Sequence, residues 1–197
     1  FKGLRHILQD EPDVAAWVGA PGILRGMRAL QKRQRVYDVL VFAHQLPAVA
    51  GFCARHDAYW LVLDHVGKPA LRDWGRAGEQ AAQRWGQALR ALAALPHVMC
   101  KLSGAVTETD WPGRQGLAPQ DTQNILSCFD QALSAFGPQR LMYGSDWPVC
   151  QLSSSYDVVH GLAQQWAQSR LNTHEQDAFW RGNAMRCYGL DIPAGAA

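Results

Sequence analysis

Five short apolar runs recur along the chain, at residues 3–8, 37–42, 60–65, 98–104 and 140–145. None alternates cleanly between apolar and polar positions. That is the pattern of strands covered on both faces, and therefore of a parallel sheet. Between the runs the apolar positions return every three or four residues, which predicts helices. Asp13 is placed to cap a short helix over 14–18, with Pro21-Gly22 as its stop. Ile23, Met27 and Leu30 then share one face of a helix over 23–35, opposite Arg and Lys. Leu46-Pro47 begins a helix to about 56, with Val49, Phe52 and Cys53 facing inward. Trp85, Leu89, Leu92 and Leu95 mark a helix over 79–95, and Asp121 caps one that Gly137-Pro138 stops. Val158, Leu162 and Trp166 belong to a sixth helix, and a last one covers 174–188.

Strands alternating with amphipathic helices make an α/β protein with a parallel sheet. No GxGxxG or GxxxxGK[ST] follows any strand, so the nucleotide-binding α/β folds lose their usual marker. What the strands do carry is polar residues at their ends. That favours a TIM-like (β/α) barrel, whose chemistry sits at the C-terminal ends of its strands. The aperiodic stretch 105–119, with Thr107, Glu108, Asp110 and Trp111, has the length of a functional loop.

Asp146 is the leading candidate. It ends the fifth run after Gly144-Ser145 and precedes Trp147-Pro148, and a carboxylate there can act as a general base on water or as a metal ligand. Its bland alternative is a cap on backbone N–H groups. Asp64 and His65, adjacent on the third run, should point to opposite faces. We assign His65 to the site, with Gly67 making room for a ligand, and Asp64 to a structural role. Arg5 and His6 should likewise diverge, so that one of them is structural. Lys101 and Ser103 share a face of the fourth strand and offer a positive charge and a hydroxyl. Trp147 is placed to stack on a sugar-like ring.

Composition narrows the functional classes. The 197 residues are 48% hydrophobic and 18% charged with a net charge of +2, so no basic patch or acidic run points to nucleic acid or a membrane surface. No stretch approaches the roughly 20 apolar residues of a membrane span. Cys53, Cys100, Cys128, Cys150 and Cys187 include no CxxC pair and read as reduced thiols of a cytoplasmic protein. HExxH, HxH and the GxSxG nucleophile elbow are all absent.

Taken together, Gly3-Leu-Arg-His6, Leu63-Asp-His-Val-Gly-Lys-Pro69, Cys100-Lys-Leu-Ser-Gly104 and Leu141-Met-Tyr-Gly-Ser-Asp-Trp-Pro-Val-Cys150 resemble the amidohydrolase-related family of the metal-dependent hydrolase superfamily. The nearest branch is the sugar-lactone hydrolases, the fuconolactonase- and rhamnonolactonase-like proteins. The resemblance implies a TIM-like (β/α)8 barrel of which about five of eight β/α units are present, as a partial barrel over 1–190 with a flexible tail over 191–197. It implies water attack on the carbonyl of a small lactone, with Asp146 and His65 catalytic and Arg5, His6, Lys101 and Trp147 contacting substrate. It also makes Asp146 and His65 candidate ligands of one divalent metal, zinc or similar, although the family's first-strand His-x-His is missing and a metal-independent reaction stays open. The same resemblance admits a pyrone-dicarboxylate lactonase or a decarboxylase, or an inactive truncated barrel. It leaves homo-oligomerisation open.

Overall fold

Each apolar run becomes a strand of one parallel sheet in the computed structural model, which describes residues 1–74, 79–112 and 116–191, with Glu79 by its backbone. The strands are β1 (Gly3–Ile7), β2 (Val36–Leu40), β3 (Leu61–Leu63), β4 (Val98–Leu102) and β5 (Leu141–Tyr143), laid side by side in chain order. The helices are α1 (Val14–Gly19), α2 (Pro21–Lys32), α3 (Leu46–Arg55), α4 (Glu79–Ala93), α5 (Pro119–Phe136), α6 (Tyr156–Arg170), α7 (Thr173–Asp177) and α8 (Asn183–Tyr188). A π turn, Ala178–Gly182, joins α7 to α8. Among the described residues β1 and β5 each pair on one side only, so the sheet is an open arc of five β/α units, where a closed barrel has eight. No helix among the described residues is long and apolar enough to cross a membrane.

Two differences from the sequence pattern have clear causes. Pro21 begins α2 instead of ending α1, because the first helical position needs no N–H and suits proline's fixed φ. The third strand stops at Leu63, and Asp64–Gly67 folds into a tight turn, so the alternation expected for Asp64 and His65 does not apply. Of the predicted tail, only Asp191 lies within the described residues.

The two faces of the sheet bury different things. Val39, Leu61, Leu63, Cys100, Leu102 and Leu141 pack outward against the helices in the main core. On the inner face Val36, Val62, Met99 and Met142 close on Cys187, with Ala184 and Tyr188 of α8 packed beside them. All five cysteines are buried and free.

Two residues further along the strands, the inner face turns from apolar to charged. Lys101 Nζ lies 2.8 Å from Asp38 Oδ2 and 2.8 Å from Asp64 Oδ1, the second an electrostatic contact without hydrogen-bond alignment. Arg5 Nη1 lies 3.2 Å from Asp64 Oδ2, and the Tyr188 hydroxyl donates to Asp38 Oδ1 at 2.7 Å. Two cations face two carboxylates, so the layer is neutral in sum. Burial pushes the Asp38 carboxyl up, with Lys101 opposing and Asp64 adding. Burial also works against the Lys101 charge, but Asp64 and Asp38 together outweigh it and hold its pKa above the usual lysine value.

This layer joins the middle of β1 and β2 to the turn after β3 and the end of β4, and Lys101 is its centre. Lys101→Met should cost about 3 kcal/mol in urea unfolding, because Asp64 is completely buried and among the described residues would keep only the ion pair with Arg5. The double variant Lys101→Met, Asp64→Asn should recover part of that loss. Equal midpoints for parent and Lys101→Met would remove the layer from the list of stabilising features.

Candidate active site

The C-terminal ends of β3, β4 and β5 bring three polar side chains together. His65 comes from the turn after β3, Ser103 from the residue after β4 and Asp146 from the loop after β5. His65 Nδ1 is 2.8 Å from Ser103 Oγ, and His65 Nε2 is 3.6 Å from Asp146 Oδ1. An ionised carboxylate can only accept. The three groups are therefore complementary when Nε2 carries the imidazole proton and Nδ1 accepts from the Ser103 hydroxyl.

Burial pushes the His65 pKa down to about 4; Asp146 opposes this, while Lys68, Lys101 and Arg5 add to it. The imidazole is thus neutral near pH 7. Both side chains are largely enclosed yet reachable, 11% exposed for His65 and 14% for Asp146.

The backbone at this end of the sheet is bent into an unusual shape. His65, Val66, Lys68 and Asp146 all have left-handed φ, at 54°, 54°, 44° and 58°. Such angles are costly for any residue with a Cβ, and most of all for β-branched Val66. Surrounding contacts hold them: Trp85 Nε1 donates to the Val66 carbonyl at 2.9 Å, and Cys150 N donates to the Asp146 carbonyl at 2.9 Å. Strained residues of this kind gather where side chains must be aimed. Gly104 supplies the space. A Cβ there would lie 2.8 Å from His65 Cγ and Nδ1, and one at Gly144 would lie 3.0 Å from Ser103 Cβ. Gly67 does not make the room expected of it, since its own missing Cβ would meet Leu46 at 2.9 Å.

The other predicted residues divide. Arg5 points inward to Asp64 and is half exposed, with donors to spare. His6 points away from it, stacked on Trp17 at 4.6 Å with Nε2 2.6 Å from Glu11 Oε1, and does not join the cluster. Lys101 is committed to two carboxylates. Trp147 is 62% exposed beside Asp146. Glu108, read only as part of a loop, is buried, forms an ion pair with Lys68 at 3.0 Å and accepts from Arg72 at 3.4 Å. Asp38 and Tyr188 went unnoticed in the sequence because nothing local marks either. Ser103 was visible as a hydroxyl, and the glycine after it was the clue to what it faces. Among the described residues no three His, Cys, Asp or Glu side chains are placed to hold one metal ion.

The chain has relatives among known proteins. The model of the amidohydrolase family matches residues 1–190. L-fucono-1,5-lactonase of Burkholderia multivorans is 59% identical over 196 residues, covering 100% of this chain and 65% of that protein. L-fucono-1,5-lactonase of Burkholderia ambifaria is 32% identical, covering 99% of this chain and 63% of that protein. The crystal structure of an amidohydrolase from Burkholderia multivorans with bound zinc superposes with a TM-score of 0.92 at 57% identity, over 97% of this chain and 65% of that one. A putative 2-pyrone-4,6-dicarboxylic acid hydrolase from Pseudomonas putida shares the fold, with a TM-score of 0.71 at 19% identity over 97% of this chain and 64% of that one. The chain thus spans a little under two thirds of the relatives it matches, and its open arc of strands is part of their TIM-like barrel. With its strands, its strand-end residues and nearly its whole length accounted for by one family model, the chain belongs to the amidohydrolase family.

Proposed function

We propose that this chain carries the greater part of a lactonase that opens a small sugar-derived lactone. The observation that supports this best is the array at the strand ends: an accessible carboxylate, Asp146, set beside a neutral His65 that Ser103 orients. The high identity to an L-fucono-1,5-lactonase supports the choice of substrate class.

In this reading Asp146 takes a proton from water as the water oxygen attacks the lactone carbonyl carbon. The Nε2–H of His65 and the guanidinium of Arg5 donate to the developing oxyanion. Collapse of the tetrahedral intermediate breaks the bond to the ring oxygen, which takes back the proton that Asp146 holds and leaves as an alcohol on the same molecule, now a hydroxy acid. Arg5 suits the oxyanion role better than Lys101, whose ammonium is already shared by Asp38 and Asp64. Exposed Trp147 offers an apolar face to the sugar ring. His6 has no part in the reading, because Glu11 and Trp17 hold it on the opposite side of β1.

A divalent ion, such as the zinc of the Burkholderia multivorans structure, would supply a Lewis acid or a more acidic water. His65 and Asp146 are two donors where a bound ion takes about three or four protein ligands. The described residues therefore do not complete a metal site, and no step above is assigned to one. Five buried, unpaired thiols support a reducing compartment, as in the cytoplasm.

Charge accounting favours a neutral lactone over a pyrone dicarboxylate. Two carboxylates on a substrate need converging cations, and here Lys68 faces Glu108, while Lys101 and Arg5 face Asp38 and Asp64.

In a full-length version, Asp146→Asn should lower kcat/KM for an aldono-1,5-lactone by about 10³-fold, read as acid release. Near-parent turnover would sink the assignment of the base. Ser103→Ala should lower kcat with little change in KM, since the hydroxyl orients His65 without touching substrate; a pure KM effect would place Ser103 in binding instead. Against a panel of aldonolactones and 2-pyrone-4,6-dicarboxylate, acid release should come from the aldonolactones. Turnover of the dicarboxylate alone would reverse the substrate reading.

A further inference from the structure

A second recess opens at the C-terminal ends of β2, β3 and β4, on the side of α3 and α4, and none of its walls is His65, Ser103 or Asp146. Its volume is about 550 Å³, within the range of small-molecule sites. One wall is a single face of α4, made by Ala81, Arg84, Trp85 and Ala88 at helical spacing. Farther along α4, Leu89 and Leu92 are fully buried and fill the core. Ala81 and Ala88 are too small to do the same, and the recess is the space they leave.

Trp85 lies buried at the base of the recess and is held in place. Trp85 is pinned by its hydrogen bond to Val66 and by Trp74, 5.4 Å away. The partly exposed Phe42 ring lies 5.9 Å from the His44 ring and nearly parallel to it, with Lys68 Nζ 6.0 Å from its centre. The rim is charged. Lys68, Arg72 and Arg84 line it against one carboxylate, Glu108, which is buried between Lys68 and Arg72. Among the described residues that line it, three cations against one anion leave the rim net positive, in contrast to the balanced layer under the candidate site.

We propose that this recess binds a planar organic monocarboxylate of the aryl-carboxylate class, its ring against Phe42 and the alanine face of α4 and its carboxylate at Arg72 and Arg84. Aromatic and alanine walls suit a flat apolar body and give a polyhydroxylated ring few partners. A guanidinium pair suits a carboxylate, which accepts from Arg in parallel. The proposal does not depend on the lactonase reading.

Benzoate is the probe, titrated by calorimetry at low salt into the parent chain and four variants. One-to-one binding is expected, with a Kd of about 1 mM. Arg84→Gln should weaken it about tenfold, the loss of one charge-assisted contact. Ala88→Phe, which fills the recess, should abolish it; if thermal melting shows that variant unfolded, Ala81→Leu on the same face takes its place. Benzyl alcohol, the neutral counterpart, should bind the parent at least about tenfold more weakly than benzoate. Asp146→Asn should bind benzoate like the parent. The proposal is overturned if the parent gives no saturable heat, if folded recess-filling variants bind unchanged, or if Asp146→Asn alone loses binding, which would put benzoate at the catalytic cluster. Absence of lactonase activity in the full-length parent, with benzoate binding intact, would count against the lactonase reading only.

Discussion

The position of one ammonium group, that of Lys101 between Asp38 and Asp64, sets the terms for the rest of the inner face. A buried carboxylate is tolerable only when its charge is matched, and Asp64 has no exposure to water at all. Lys101 and Arg5 match it from β4 and β1, and Asp38 with Tyr188 completes the set from β2 and α8. Strands that share hydrogen bonds along their length are in this way also tied across the sheet by charge. The side chains that follow the strand ends inherit a fixed platform.

On that platform the site is aimed by backbone strain instead of by strand alternation. A strand continuing through residues 64 and 65 would turn their side chains to opposite faces of the sheet. The chain leaves the strand at Leu63, and the left-handed run through His65 and Val66 aims the imidazole at Ser103 and Asp146 while Asp64 stays with the charge layer. The cost of that run is met by neighbours, above all the Trp85 indole on the Val66 carbonyl. Neutral His65 and accessible Asp146 follow from the same geometry: the ring is buried deeply enough to shed its proton, and the carboxylate sits where water can reach it.

How much of this could be read from the residues depends on how local each signal is. The buried strands announced themselves, because a strand covered on both faces must be apolar throughout, and Val36, Val39 and Leu61 show it. Asp146 and His65 stood out as polar residues ending such runs. The turn at Asp64 did not, since Val66 is a strand-favouring residue that here adopts a shape only its surroundings enforce. The pairing of Asp38 with Tyr188 spans 150 positions and has no local trace. The neutralisation of Lys101 was invisible for the same reason: a lysine on a strand looks like a free cation until its partners on other strands are placed. Gly104 lay between these extremes, plain in the sequence but explained only by the ring it leaves room for.

The Tyr188 contact also has a bearing on the order in which the protein is made. A ribosome releases the chain from its N-terminal side, so all five strands are available before α8 exists. Until α8 arrives, Asp38 lacks its hydroxyl donor, and Val36, Val62, Met99 and Met142 lack the Cys187 that covers them. The early chain can pair its strands, but its inner face stays wet. The platform under His65 and Asp146 is complete only once α8 has packed on it, so its closure comes after the strands that carry it are made.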